Sequence, residues 1–183
     1  MNTAQNVGGL TLRRAVADDL PSAVAMYERI RHHMDDCGIC IWDEIYPCEL
    51  LEGDIERGEL YLLTDGDELV GGFTLCGFID CGGQVKWADD GARAVYLDRV
   101  GVSVDRLRQG AGERLVREAA ALAAGRGAEY LRLFVVDINR PAIALYEKCG
   151  FERAEGVYEE RFTGDDYDYS FMEYGYEKHL GQE

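Results

Sequence analysis

The 183-residue chain carries 35 acidic residues against 19 lysines and arginines, a formal charge of −16, with 47% hydrophobic and 30% charged residues. That length suits one domain, 1–183, with a real core, and that charge repels phosphates and argues against a nucleic-acid partner. The longest apolar run, near Ala119–Ala124, is far too short to span a bilayer, and MNTAQNVGGLTLRRA lacks the apolar core of a secretory signal, so a soluble, cytoplasmic protein with no membrane partner is expected.

LTLRRAV, residues 10–16, alternates as a strand. Asp18 or Asp19 then caps a helix with Pro21 in its first turn. Ala25, Ile30 and Met34 follow the helical period, and Gly38 ends it. A loop with Trp42 and Tyr46-Pro47 leads to a short helix through Leu51 and Ile55 to Gly58. ELYLLTD and ELVGGFTLCGF read as a hairpin turning at Asp65-Gly66-Asp67. Residues 80–92 are glycine-rich and polar, hence loop, which leaves Trp87 within them unexplained.

AVYLDRVGVSV, residues 94–104, is a long strand whose apolar positions change parity. Val95 and Leu97 are odd; Val100, Val102 and Val104 are even. One extra residue near Asp98–Arg99, a β-bulge, would put both sets on one face. An unbulged strand burying Tyr96, Val100, Val102 and Val104 is the alternative. The turn RLRQGAG opens a helix with Leu115, Val116, Ala119, Leu122 and Ala123 on one face, stopped by Gly125 and Gly127. YLRLFVV, 130–136, is a strand. Asn139 starts another helix, with Pro141 in its first turn and Gly150 at its end. The tail gives two more strands separated by a turn at Gly164-Asp165-Asp166. The class is mixed α/β, with strand–turn–helix–strand–helix as its middle.

Charge is distributed unevenly. Residues 35–68 hold twelve acids and one arginine, and 152–177 nine acids and two arginines, whereas 93–118 hold six arginines and four acids. Arg106, Arg108 and Arg114 crowd round Gly110-Ala111-Gly112. The glycines let the backbone turn tightly, and the first N–H groups of the next helix have no intrahelical partners and sit at its positive end. Such a turn suits a pyrophosphate. It is neither a dinucleotide fingerprint, whose third glycine is replaced by Leu115, nor a P-loop, since Gly112-Glu113-Arg114 lacks the Lys-Ser/Thr. Cys37-Gly-Ile-Cys40 with Cys76 and Cys81 loosely resembles zinc spacing. Ordinary thiols are the simpler reading of the six cysteines, so no metal is expected.

VGVSVDRLRQGAGERL together with NRPAIALYEKCGF, 138–151 with its preceding isoleucine, resembles the GNAT superfamily of acyl-CoA-dependent N-acyltransferases. The resemblance implies a single α+β domain, a mixed central sheet of about seven strands flanked by helices, with a bulged central strand. It implies acetyl-CoA as cosubstrate. Backbone groups of Val100, Gly101 and Val102 would line the pantetheine arm. Arg108, Gln109, Gly110, Ala111, Gly112 and Glu113 would wrap the pyrophosphate, Asn139 would contact the pantetheine, and Tyr146 would stand where a tyrosine protonates the departing thiolate. Leu107 occupies a position usually held by Arg or Gln, for which Arg106 and Arg108 are expected to compensate.

The implied reaction is direct attack of a neutral primary amine on the thioester, so a base must remove the ammonium proton. A glutamate that serves in one branch of the family is replaced by Phe134, and Asp98 beside the bulge, or Asp137 at the strand end, is the substitute. Asp137 has the simpler reading of a residue at a helix N-terminus. An ordinary tyrosine is a weaker acid than a thiol by ~1.5 units, which favours a hydrogen bond to developing thiolate over full transfer. In GICIWDEIYPCELLEGD, Trp42 and Tyr46 would wall the acceptor site, with Asp43, Glu44 and Glu49 attracting a cationic small molecule or peptide amine. Family habit is compatible with a homodimer. The rival readings are a non-catalytic acyl-CoA sensor and a zinc-stapled interaction protein.

Overall fold

The computed structural model of the chain describes residues 5–7, 9–43, 45–79, 83–163 and 168–181. In chain order its elements are β1 (Gln5–Val7), β2 (Leu10–Arg14), α1 (Leu20–Asp36), α2 (Leu51–Glu56), β3 (Leu60–Asp65), β4 (Glu68–Cys76), β5 (Val85–Lys86) and β6 (Ala94–Val102). There follow α3 (Ala111–Gly125), β7 (Tyr130–Val136), α4 (Arg140–Lys148), β8 (Glu152–Arg153), β9 (Glu155–Gly156), β10 (Tyr158–Thr163) and β11 (Asp168–His179). The class is α/β with a mixed, mainly antiparallel sheet flanked by helices, as expected. The chain forms two compact units, Met1–Leu75 with Leu97–Ala119, and Cys76–Tyr96 with Ala120–Glu183.

In the first unit the strand order is β1-β2-β3-β4-β6. The β3–β4 hairpin pairs Asp65 with Glu68, so the connection is two residues, Gly66-Asp67. Helix α1 buries Ala23, Met26, Tyr27 and Ile30 against Leu51 of α2 and Leu60 and Leu62 of β3. Ala25 was expected on this face and is instead exposed, because it lies roughly 200° round the helix from Ala23. Asp19 does stand before α1, with Pro21 in the first turn. Its carboxylate turns backward, however, accepting from the Val16 N–H at 2.8 Å and pairing with Arg13 at 2.6 Å. The Arg13 hydrogen bond, chiefly, holds that carboxyl below its usual range.

The glycines of β4 and β6 are dictated by packing. A Cβ on Gly71 would stand 2.5 Å from the Gly101 carbonyl oxygen and 2.9 Å from Leu115 Cδ1. One on Gly101 would meet Ile30 at 2.9 Å and the Tyr27 ring at 3.0 Å. Helix α3 supplies Leu115, Val116 and Ala119 to the buried set.

In the second unit the order is β6-β7-β11-β10, with β8 beside β11 and a separate β5–β9 pair. The β6–β7 pairing is parallel, Ala94–Tyr96 against Tyr130–Arg132; β7 and β11 are antiparallel. Trp87, unexplained in sequence, is a core residue packed with Val85, Tyr96 and Ala154. Arg132 lies over its ring at 4.7 Å and donates to the Asp89 carbonyl at 2.6 Å and to Glu177 at 3.2 Å. Glu177 in turn accepts from the Ala88 N–H at 2.6 Å. The turn expected at Gly164-Asp165-Asp166 lies outside the described residues. Among the described residues no helix is long and apolar enough to cross a membrane.

The crowding at Gly71 makes a direct prediction. Gly71→Ala should destabilise the fold by ~1–3 kcal/mol through overpacking, read as a lower urea midpoint with an unchanged slope.

Candidate active site

Arg99 is a charged residue in the middle of an apolar strand, and its surroundings explain it. Its backbone adopts φ 51°, a left-handed conformation inside β6, at the place where the parity of the sequence changes. Leu97, Gly101 and Ser103 are buried around it, whereas Val95, Val100 and Val102 are half-buried. Tyr96 is buried as well and Val104 is half-buried, so the break in the strand falls at Arg99, where the sequence changes parity, but the burial follows neither the bulged nor the unbulged expectation.

The guanidinium is 8% exposed and Asp54 on α2 is fully buried. Arg99 Nε donates to Asp54 Oδ2 at 2.8 Å and Nη2 to Asp54 Oδ1 at 3.1 Å. Thr74 donates to Asp54 at 2.9 Å, and Arg57 also pairs with it. On its other side Arg99 Nη1 donates to Asp98 Oδ2 at 2.7 Å, and the Arg99 N–H donates to Asp98 Oδ1 at 2.7 Å. Burial works against the Arg99 charge; Asp98, Tyr46 and Asp54 outweigh it and hold the guanidinium above its ordinary value. Tyr46 is hydrogen-bonded to this guanidinium. Tyr27 donates its hydroxyl to the Arg99 carbonyl at 2.6 Å, and burial pushes that hydroxyl far up.

Asp98 keeps 28% of its side chain exposed. Burial pushes its carboxyl up, the Arg99 charge and N–H pull it down, and Asp54 adds to the rise, with the net effect upward. It therefore has the attributes of a base: an open face, a fixed orientation and an elevated affinity for protons. Tyr27 and Tyr46, both bonded to Arg99, are joined by Trp42, 5.9 Å from Tyr27 and 6.3 Å edge-on to Tyr46. Asp43 Oδ1 accepts from the Ile45 and Tyr46 N–H groups at 2.8 and 2.7 Å, shaping the loop that presents Tyr46. Glu49 is exposed, and Glu44 lies outside the described residues.

The glycine turn follows on the same chain segment. Arg108 has φ 59° and Gly110 φ 83°, and the space beside Gly110 is open. The first helical bond of α3 runs from Arg114 N to Gly110 O at 3.0 Å, so the Ala111 and Gly112 amides precede the helix ladder. Gln109 donates to the Asp105 carbonyl at 3.0 Å, bracing the turn. Arg106, expected to compensate for Leu107, is paired with Glu68 and, at 3.1 Å, with Asp65. Arg114 pairs with Glu118 at 2.6 Å, and its Nε is buried without a partner among the described residues. Arg108, exposed, makes no ion pair among them. Leading amides, an orphaned Nε–H and an uncommitted cation fit an anionic group such as a pyrophosphate.

Asn139 and Tyr146 lie in the second unit. Asn139 caps α4, accepting from the Ala142 N–H at 3.3 Å, and Tyr146 is buried on that helix, 5.8 Å from Phe151. Asp137 is not the helix cap; its N–H donates to the Met172 carbonyl at 2.9 Å. Cys37 and Cys40 are exposed, Cys76 is half-buried, and Cys81 lies outside the described residues. The first unit thus brings Trp42, Tyr46 and Asp98 together, and adds Tyr27, Asp54, Thr74 and Arg99, which sequence reasoning missed. The available signal was Arg99 itself, since a charge inside an apolar strand demands a buried partner.

Thialysine N-epsilon-acetyltransferase from Sus scrofa is 33% identical over 76 residues, 40% of this chain and 45% of that enzyme. The chain spans about half the length of the curated relatives it matches. An acetyltransferase of the GNAT family from Streptococcus agalactiae 2603 superimposes with a TM-score of 0.79 at 17% identity, covering 97% of this chain and 99% of that one. The yncA protein of Salmonella typhimurium, solved with its cofactor acetyl-CoA, gives 0.67 at 16% identity over 96% of each chain. The profile of the Acetyltransferase (GNAT) family matches residues 27–151, which include the second half of α1, Asp98 and Arg99, the glycine turn and α4. The chain belongs to the GNAT acetyltransferase family.

Proposed function

We propose that this protein is an N-acetyltransferase that moves an acetyl group from acetyl-CoA to a primary amine by direct attack. The observation that carries the reading is the Arg108–Gly112 turn, whose left-handed backbone, open space and arginine unpaired among the described residues suit an anion in a strongly acidic chain of this family. Acetyl-CoA, when bound, supplies an acyl thioester activated toward amines. Val100, Gly101 and Val102 offer backbone to its pantetheine arm, and Arg108–Glu113 grip its pyrophosphate. Asn139 contacts the arm, and Tyr146 hydrogen-bonds the sulfur as negative charge develops there. Trp42 and Tyr46 wall the acceptor site, where aromatic faces favour a cation. Asp98 takes the proton from the incoming ammonium, since only the neutral amine attacks. A relative named for acetylating thialysine supports a primary amine on a small cationic molecule or peptide.

Calorimetric titration with acetyl-CoA, with ATP as control, tests the cosubstrate; absence of saturable binding at millimolar acetyl-CoA would sink the reading. Arg108→Ala should weaken acetyl-CoA by roughly tenfold, the scale of a charge-assisted hydrogen bond. Arg106→Ala should leave it within about twofold, because Asp65 and Glu68 already hold that guanidinium. Tyr146→Phe should slow CoA-thiol release with thialysine or spermidine while sparing acetyl-CoA binding.

The pH profile follows from Asp98. A base accepts a proton only when ionised, and its carboxyl is raised. The rate should therefore fall as pH drops through a value above the usual carboxylate range. Asp98→Asn should cut kcat by ~100-fold or more and abolish that acidic limb.

A further inference from the structure

Asp54 is fully buried, belongs to a different element from the proposed base, and grips Arg99 through both carboxylate oxygens. Arg99 uses its remaining edge to grip Asp98. A planar guanidinium held in a fork on one edge has no freedom to swing on the other. Tyr27, from α1, fixes the Arg99 carbonyl, and Tyr46 is hydrogen-bonded to the guanidinium. Residues of α1, α2 and the loop carrying Tyr46 thus fix Arg99, and Arg99 is what Asp98 leans on.

We propose that Asp54 is a positioning residue for acetyl transfer, acting through Arg99 to hold the Asp98 carboxylate in the orientation that receives the amine proton. The inference rests on the reading of Asp98 as base. Asp54 also sets the local charge. Asp98 faces the guanidinium of Arg99, the carboxylate of Asp54 behind it, which Arg57 also pairs, and the phenol of Tyr27, while Tyr46 is bonded to the same guanidinium. With Asp54 ionised, much of the Arg99 charge is answered before it reaches Asp98. Without it, the full positive charge would bear on Asp98 and weaken it as a base. Positioning and basicity come from the same salt link.

The test uses two variants with opposite electrostatic signs. Asp54→Asn keeps the shape and removes the charge behind Arg99, so the Asp98 titration should move down by about half to one pH unit. Arg99→Lys keeps a charge but cannot bridge both carboxylates, so its pull on Asp98 weakens and the titration should move up. The titration is followed directly by carbon-13 NMR of the side-chain carboxyl, assigned with Asp98→Asn, and thermal unfolding establishes that each variant is folded. Arg99→Lys serves if Asp54→Asn does not fold. In both variants kcat with thialysine should fall about tenfold or more, with the acidic limb of the profile following the NMR shift, while the Kd for acetyl-CoA stays within about twofold. An Asp98 titration unmoved in the folded variants overturns the linkage, even in an active enzyme. If the shifts appear but the wild-type protein releases no CoA thiol with thialysine or spermidine at any pH, the positioning role is overturned together with the reading of Asp98 as base. Failure of acetyl-CoA to bind would instead strike the proposed function itself.

Discussion

A guanidinium cannot be taken out of water unless opposing charge and hydrogen bonds replace its hydration, at a cost otherwise of several kcal/mol. Arg99 is such a group, and the first unit is arranged around meeting its demand. The strand carrying it turns left-handed to aim the side chain, a conformation that costs ~1–3 kcal/mol for a non-glycine residue. Helix α2 supplies Asp54, β4 supplies Thr74, and α1 supplies the Tyr27 hydroxyl that caps the displaced carbonyl. The glycines at 71 and 101 then let α1 and the neighbouring strands close over it.

The acidic excess of the chain has the same logic. Most arginines near the glycine turn are already answered: Arg106 by Asp65 and Glu68, Arg114 by Glu118, and Arg29 by Asp105. Arg108 is left uncommitted beside amides that precede a helix. Against a background charge of −16, this makes a local attraction for an anion without making the whole surface attractive to polyanions. The acids of residues 35–68 are likewise not one solvated face. Asp54 is internal, Asp43 shapes a loop, and Asp65 and Glu68 restrain an arginine.

Local chain grammar was easily read: YLRLFVV is β7 residue for residue, Asn139 and Gly150 bracket α4, and Gly66 sits in the two-residue hairpin connection. These features depend on neighbours in sequence, where cap and turn chemistry operates. What escaped depends on neighbours in space. Asp54 looked like one more acid on a short polar helix, because nothing nearby in sequence indicates that it points inward. Trp87 lay in a glycine-rich loop, and its partners Tyr96, Phe134 and Arg132 come from other strands. Ala25 was misplaced for a smaller reason: alanine is apolar enough to fit either face. The break at Arg99 was legible because a change of apolar parity along a strand is a property of sequence.

The two compact units do not correspond to two stretches of chain. Each is assembled from two separate segments, and both β6 and α3 begin in one unit and finish in the other. No single cut therefore releases either unit whole, and no continuous truncation contains all of one without part of the other. A protease nick between β4 and β5 would sever connectivity without liberating a folded fragment. For fragment complementation or circular permutation, the usable breakpoints are thus loops within a unit, and the order of segments constrains how such a protein can be shuffled or fused.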